Sequence, residues 1–160
     1  MSEPTSSCDL PGLGILSDLE RDDRAMLASY GTFRFAERGE IIIREGESQN
    51  SLYFVISGLL HAKRTSDGRE VLVGEIRSGE ACGEVNIFDP AAASATVAVM
   101  TSAQLWSISR DEFQSFLHGY PVAANALLIS IATLLSQRLR ALGSRLVDQD
   151  DYRALLSHLE

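Results

Sequence analysis

The sequence predicts a mainly β domain with flanking helices: an antiparallel sandwich or barrel, followed by one long C-terminal helix. Three observations predict it. From Phe33 onward glycine recurs at 39, 46, 58, 68, 74, 79 and 83, with short β-branched and aromatic runs between. Ser66-Asp67-Gly68-Arg69 reads as a hairpin, because Asp-Gly supplies the positive φ angles of a tight turn. After Pro121, leucine recurs every seven residues at 128, 135 and 142.

The elements follow in order. Residues 1–12 read as a flexible N-terminus, polar over Met1–Ser7 (MSEPTSS). Leu13, Ile15, Leu16 and Leu19 open an apolar set, and Glu20–Ala28 reads as one short helix closed before Gly31. Ile41–Ile43, Leu52–Ile56, Leu59–Leu60 and Val71–Val73 are the clearest strands, closely spaced with turn signals between them. Thr96–Met100 and Gln104–Ile108 read as two more. Ser109 is an N-cap, with Glu112 placed to complete a capping box.

The long helix is expected over Val122–Leu146. Leu127, Leu134 and Ala141 form a second row at the same seven-residue spacing, and Ile131, Leu139 and Leu146 fill the stripe between. That is wider than the face one core needs. The helix is therefore expected to pack on its own domain and on a second copy, with Leu128, Ile131, Leu135 and Leu142 at the dimer interface. Residues 147–160 read as an acidic tail, or as a short helix over Tyr152–Leu159.

Composition narrows the function. The formal net charge of −8 repels nucleic acid and anionic membrane. Cys8 and Cys82 form no spaced pair and read as reduced thiols. Met1–Asp9 has no signal-peptide pattern, and no apolar run is expected to reach the length of a membrane span, so the cytoplasm is the expected compartment. His61, His118 and His158 lie on different elements, which predicts no metal site, and no nucleophile motif appears. An enzyme is not expected.

One constellation carries more. Gly39-Glu40, Glu45-Gly46-Glu47, Leu52–Ile56, Gly58, Asp67-Gly68, Gly79-Glu80 and Gly83-Glu84, in that order, resemble the cyclic nucleotide-binding domain family. The likeness is to the sensor half of catabolite activator and FNR-type regulators, over roughly residues 13–146. It implies an antiparallel β-roll, a double-stranded jelly-roll-like barrel, whose final helix dimerises as in a coiled coil. Gly83–Val97 would be the phosphate-binding cassette, with Glu84 accepting from the ribose 2′-hydroxyl and helix N–H groups facing the cyclic phosphate.

The resemblance also implies a cassette arginine, and Ala93 stands in its place. The expected ligand contacts are then Gly83, Glu84, Val85, Asn86, Ser94, Ala95 and Thr96. Asn86 would donate to a ligand or cap the turn. Arg138 would swing toward Glu84 from the long helix, and Arg69 or Arg77 would approach from neighbouring loops. Leu142 and Gly143 stand where polar side chains would reach an adenine, leaving Ser144 as the nearest polar group. Losing a buried charge-assisted partner costs about 2–5 kcal/mol, or roughly 30-fold to several thousand-fold in affinity. The pocket is accordingly expected to bind cyclic AMP or cyclic GMP weakly, or else a different small molecule that the sequence does not name, with no cofactor.

The residues after Leu146 are too few for a winged helix-turn-helix. The reading is a stand-alone, non-enzymatic, homodimeric regulator in signal transduction that binds no DNA and no membrane. Its alternatives are a protein-interaction scaffold that has lost nucleotide binding, or the truncated sensor half of a transcription regulator.

Overall fold

Every strand of the sheet pairs antiparallel, and the strand made last sits in the middle. In the computed structural model, which describes residues 9–157, a 3-10 turn at Gly14–Leu16 leads into α1 (Arg21–Ser29). Then come β1 (Thr32–Ala36), β2 (Ile41–Ile43), β3 (Ser51–Ser66), β4 (Arg69–Arg77) and β5 (Ala81–Cys82). The chain continues through α2 (Glu84–Phe88), β6 (Thr96–Ser109), α3 (Arg110–Gly119) and α4 (Pro121–Ser157). The strand order is β1-β6-β3-β4, with β2 also on β6 and β5 also on β3. This is the expected mainly β roll with its long helix.

Two strands run longer than their sequence patterns. Leu52–Ile56 and Leu59–Leu60 belong to the single strand β3, and Thr96–Met100 and Gln104–Ile108 to the single strand β6. The register shifts between Val55 and Ser57, Ser57 and Leu59, and Leu59 and Leu60. Bulges of this kind bend a strand and re-aim its side chains without ending its ladder. Gly58 makes the bend feasible. Its φ is 102°, and a Cβ there would lie 2.8 Å from Ala103 Cα.

The core has two parts. Leu16, Leu27, Phe54, Trp106, Phe113, Phe116, Leu127 and Ile131 pack where the helices meet the sheet. Ile43, Val55, Leu60, Ile76, Val99 and Leu105 fill the roll. Leu10 is 4% exposed and its carbonyl accepts from Arg24 Nε at 3.0 Å, so ordered packing begins within the expected flexible segment 1–12. Residues 1–8, with Cys8, lie outside the described residues. The capping box forms as expected: Glu112 N–H donates to Ser109 Oγ at 3.2 Å, and Ser109 N–H donates to Glu112 Oε2 at 2.8 Å.

The long helix corrects three expectations. It runs unbroken to Ser157, past Leu146 and through the start of the separate helix expected over Tyr152–Leu159. Nothing between Val147 and Tyr152 breaks a helix, and Gly143 alone costs only ~1 kcal/mol. Residues 158–160, where that second helix would end, lie outside the described residues. Pro121–Gln149 is also long and apolar enough to cross a membrane by length and composition, contrary to expectation, although Leu127 and Ile131 are spent in the domain core. Lastly, Ile131 is 1% exposed within one chain, so it belongs to the core and not to a dimer surface. The row Leu128, Ala132, Leu135, Leu139, Leu142 and Leu146 keeps the alternating spacing of four and three that a two-stranded coil needs. Leu128 and Leu135 are half-buried against the domain core, and the later leucines are exposed. Leu139 is 71% exposed and Leu146 62%.

Candidate functional site

The site is built where β5 ends. Tyr53 pairs with Cys82 and Phe54 with Ala81, which fixes the two-residue strand against β3. Gly83 then turns the chain with φ 82° into α2. Only glycine fits here: a Cβ would lie 2.2 Å from Ser51 O and 2.4 Å from Gln49 Nε2. Gln49 holds that wall. Its Nε2 donates to Ser51 O at 2.5 Å, and its Oε1 accepts from Ser51 N–H at 2.6 Å. Sequence reading misses Gln49, because an amide that bonds the backbone two residues away leaves no motif.

Glu84 and Arg138 come together. Glu84 is 4% exposed. Arg138 Nη1 donates to its Oε1 at 2.5 Å, and Nη2 donates to Ala81 O at 2.6 Å. The expected swing of Arg138 toward Glu84 is therefore present, and the carboxylate is not a bare buried charge. A carboxylate taken from water needs such a partner. Neighbouring Cys82 is buried, which pushes its thiol up to about 12; Glu84 adds to that rise and Arg138 opposes it. The thiol stays protonated, so it is inert as a nucleophile.

The other expected contacts divide. Asn86 is 8% exposed and its Nδ2 donates to Ala91 O at 2.7 Å, so it closes the loop after α2. Val85 is 53% exposed and faces away from the core. Ala93 is 5% exposed, with its N–H donating to Glu47 O at 2.8 Å and its carbonyl accepting from Gly46 N–H at 2.8 Å. Thr96 Oγ1 accepts from Glu45 N–H at 3.0 Å. Ser94 is exposed and Ala95 half-buried. The stretch from Ala93 to Thr96 is thus tied to the turn over residues 44–47.

Two expected arginines do not reach the cassette. Arg77 Nη2 donates to Glu75 Oε2 at 2.7 Å, and this bond holds the Glu75 carboxyl below its ordinary range. Arg69 sits at the far end of β4, opposite Ser66 on the hairpin. Ser144 does not share the side of the helix that meets the cassette. Its hydroxyl donates to Arg140 O on its own helix at 3.2 Å, and helical periodicity places it on the side away from Ile131 and Arg138. Leu142 is 49% exposed. Beyond the cassette, a cavity of about 440 Å³ opens between β4 and the long helix, lined by Leu72, Gly74, Glu75, Arg77, Glu80 and Arg145. Among the described residues there is no cluster of groups fit to hold a metal.

The site thus combines a glycine turn into a short helix, a buried carboxylate held by the long helix, and a buried Ala93 at the start of a small-residue run. The comparisons agree on the kind of domain. The family model described as "Cyclic nucleotide-binding domain" matches residues 33–120. A CRP-like cAMP-activated global transcriptional regulator of Mycobacterium tuberculosis is 32% identical over 112 residues, covering 69% of this chain and 48% of that protein. The chain thus spans about half the length of that relative. The catabolite activator protein of Thermus thermophilus has a TM-score of 0.73 and 25% identity, covering 83% of this chain and 61% of that one. The regulatory subunit of a cAMP-independent protein kinase A from Trypanosoma brucei has a TM-score of 0.65 and 27% identity, covering 82% and 47%. A triple mutant of that subunit, with a threonine changed to arginine among its substitutions, is bound to cAMP in its A site; it has a TM-score of 0.67 and 26% identity, covering 84% and 48%. With more than half of its length matched by the family model, and with a glycine-glutamate cassette docked against a long helix, the chain belongs to the cyclic nucleotide-binding domain family, in its CRP/FNR-like form.

Proposed function

We propose that the chain is a non-enzymatic regulatory sensor domain that works as a dimer and binds cyclic AMP or cyclic GMP only weakly. Ala93 carries this reading. It stands where the resemblance implies the phosphate-pairing arginine, and both its backbone groups are committed to the turn over residues 44–47. Arg138 cannot substitute without leaving Glu84 and Ala81 O, both of which it holds through direct hydrogen bonds. The likeness to a cAMP-independent kinase subunit, and to a mutant of it that gains an arginine and is bound to cAMP, supports the same view. The expected affinity is in the millimolar range, about 30-fold to several thousand-fold below a micromolar site. Calorimetric titration of the wild-type chain with each nucleotide tests it, and a micromolar dissociation constant overturns it.

The dimer rests on the leucine seam of α4, whose distal part, Leu139, Leu142 and Leu146, would face water in a monomer. Leu135→Asp places a charge in that seam and is expected to give monomers by light scattering at tens of micromolar. A wild-type chain that is already monomeric there would remove the dimer from the reading. The domain itself is expected to repel DNA and anionic membrane through its net charge of −8, and to work in the cytoplasm.

A second reading makes this the sensor half of a DNA-binding regulator. It is favoured by the match to 48% of a transcriptional regulator. Whether the natural reading frame continues past Glu160 into a helix-turn-helix decides it.

A further inference from the structure

Residues seven apart on a helix return to nearly the same side. On α4, Ala124, Ile131, Arg138 and Arg145 form such a row, and its chemistry changes where the surface beneath it changes. Ala124 and Ile131 are buried in the core. Arg138 lies over the cassette, bonded to Glu84 and to Ala81 O. Arg145 lies over β4, where its Nη1 donates to Val73 O at 3.3 Å. Beyond Arg138 the helix has no apolar core under it: Leu139, Leu142, Leu146 and Val147 are all exposed. Its position against the roll there depends on polar contacts.

We propose that Arg138 and Arg145 form an internal latch, which fixes the second half of the long helix against the roll without any ligand. This rests on the weak-binding reading, under which no nucleotide is at hand to bridge cassette and helix. The two arms differ in strength. The Glu84 side chain is 6% exposed and that of Arg138 32%, so their pair is partly shielded from salt. Arg138 also reaches two acceptors on two elements, β5 and α2, which fixes direction as well as distance. Arg145 is exposed and makes one long bond to a neutral carbonyl, so it is the weaker arm. The latch sets which side of α4 faces outward, and the leucine seam lies next to the arginine row.

Hydrogen exchange on the full chain without nucleotide tests this, with Arg138→Gln, Glu84→Gln, Arg145→Gln and the double variant Arg138→Gln/Arg145→Gln. A helix released from its support exchanges faster, because tertiary packing supplies most helical stability. Amides over residues 139–149 are expected to exchange at least about ten-fold faster in Arg138→Gln and Glu84→Gln, and about two- to three-fold faster in Arg145→Gln. Amides of β3 and β6 should keep their wild-type rates. Arg138→Lys, which keeps the charge but cannot span both acceptors, should fall between wild type and Arg138→Gln. Wild-type rates over 139–149 in the double variant overturn the latch. So does equal acceleration in β3, β6 and the helix, since the pair would then hold the cassette and not the helix. Micromolar nucleotide binding by the wild type would defeat the weak-binding reading while leaving slow exchange over 139–149 in nucleotide-free protein as evidence for the latch.

Discussion

Ala93→Arg is expected to raise affinity for cyclic AMP or cyclic GMP at least about ten-fold, as read by titration calorimetry against the wild type. The full return of about 2–5 kcal/mol is the upper bound. The gain comes from pairing a guanidinium with the phosphate, which a planar fork does better than a point charge. Two features hold it below the maximum. Ala93 is 5% exposed and packs in the roll core with residues such as Ile43 and Val97, so a longer side chain must displace some of that packing. Asn86 also fixes the loop that leads to Ala93. The free variant is therefore expected to be less stable than wild type, since its new charge lacks a partner until an anion arrives. Nucleotide should reverse this, adding about 2.7 kcal/mol at 100 times the dissociation constant. A variant with no gain in affinity would mean that the cassette has changed shape as well as charge.

Ile131→Ala is expected to destabilise the folded monomer by about 2–5 kcal/mol, through lost burial and the cavity left behind. Leu139→Ala, only eight residues on, should move it by less than about 0.5 kcal/mol. The contrast follows from their surroundings: Ile131 is 1% exposed and packs in the core, whereas Leu139 is 71% exposed. Denaturant unfolding at concentrations low enough to keep the chain monomeric checks both. Equal effects would mean that the helix sits on the roll in a different rotation. At concentrations where the dimer forms, the order is expected to narrow, because Leu139 then gains a partner.

Much of this was legible in the sequence, and the rest for identifiable reasons was not. Turns that need glycine or Asp-Gly announced the short strands, and Asp67 does take a positive φ of 51°. Gly58 misled because glycine signals a turn and a close approach alike. Here it permits a bulge against Ala103, and the strand continues. The two-residue β5 has no periodicity to read. In the cassette, Gly83 and Glu84 were legible through the family resemblance, and Arg138 as a cation on the helix which that resemblance places beside them. Ile131 fell on the wrong side because a straight helix drifts about 20° per heptad, so neighbouring seven-residue rows blur into one another. Val85 is 53% exposed, and the Ser144 hydroxyl donates to Arg140 O on its own helix, so neither side chain is fixed by a contact with another element that spacing could announce.

The central place of β6 has a consequence for how the chain comes to be folded. Strands β1, β2 and β3 all pair with it, and Thr32 finds its partner only at Ser107. Such distant pairings repay their loop-closure entropy late, which places the roll among slow-folding topologies, in the millisecond-to-second range. During synthesis the hairpin of β3 and β4 can form early, because Ser66 and Arg69 are neighbours across its turn. The opposite edge of β3, with Leu52, Phe54 and Leu60, stays open until Ser109 has been made. For that interval the nascent chain exposes an unpaired apolar strand, which is the state most prone to pair with another copy.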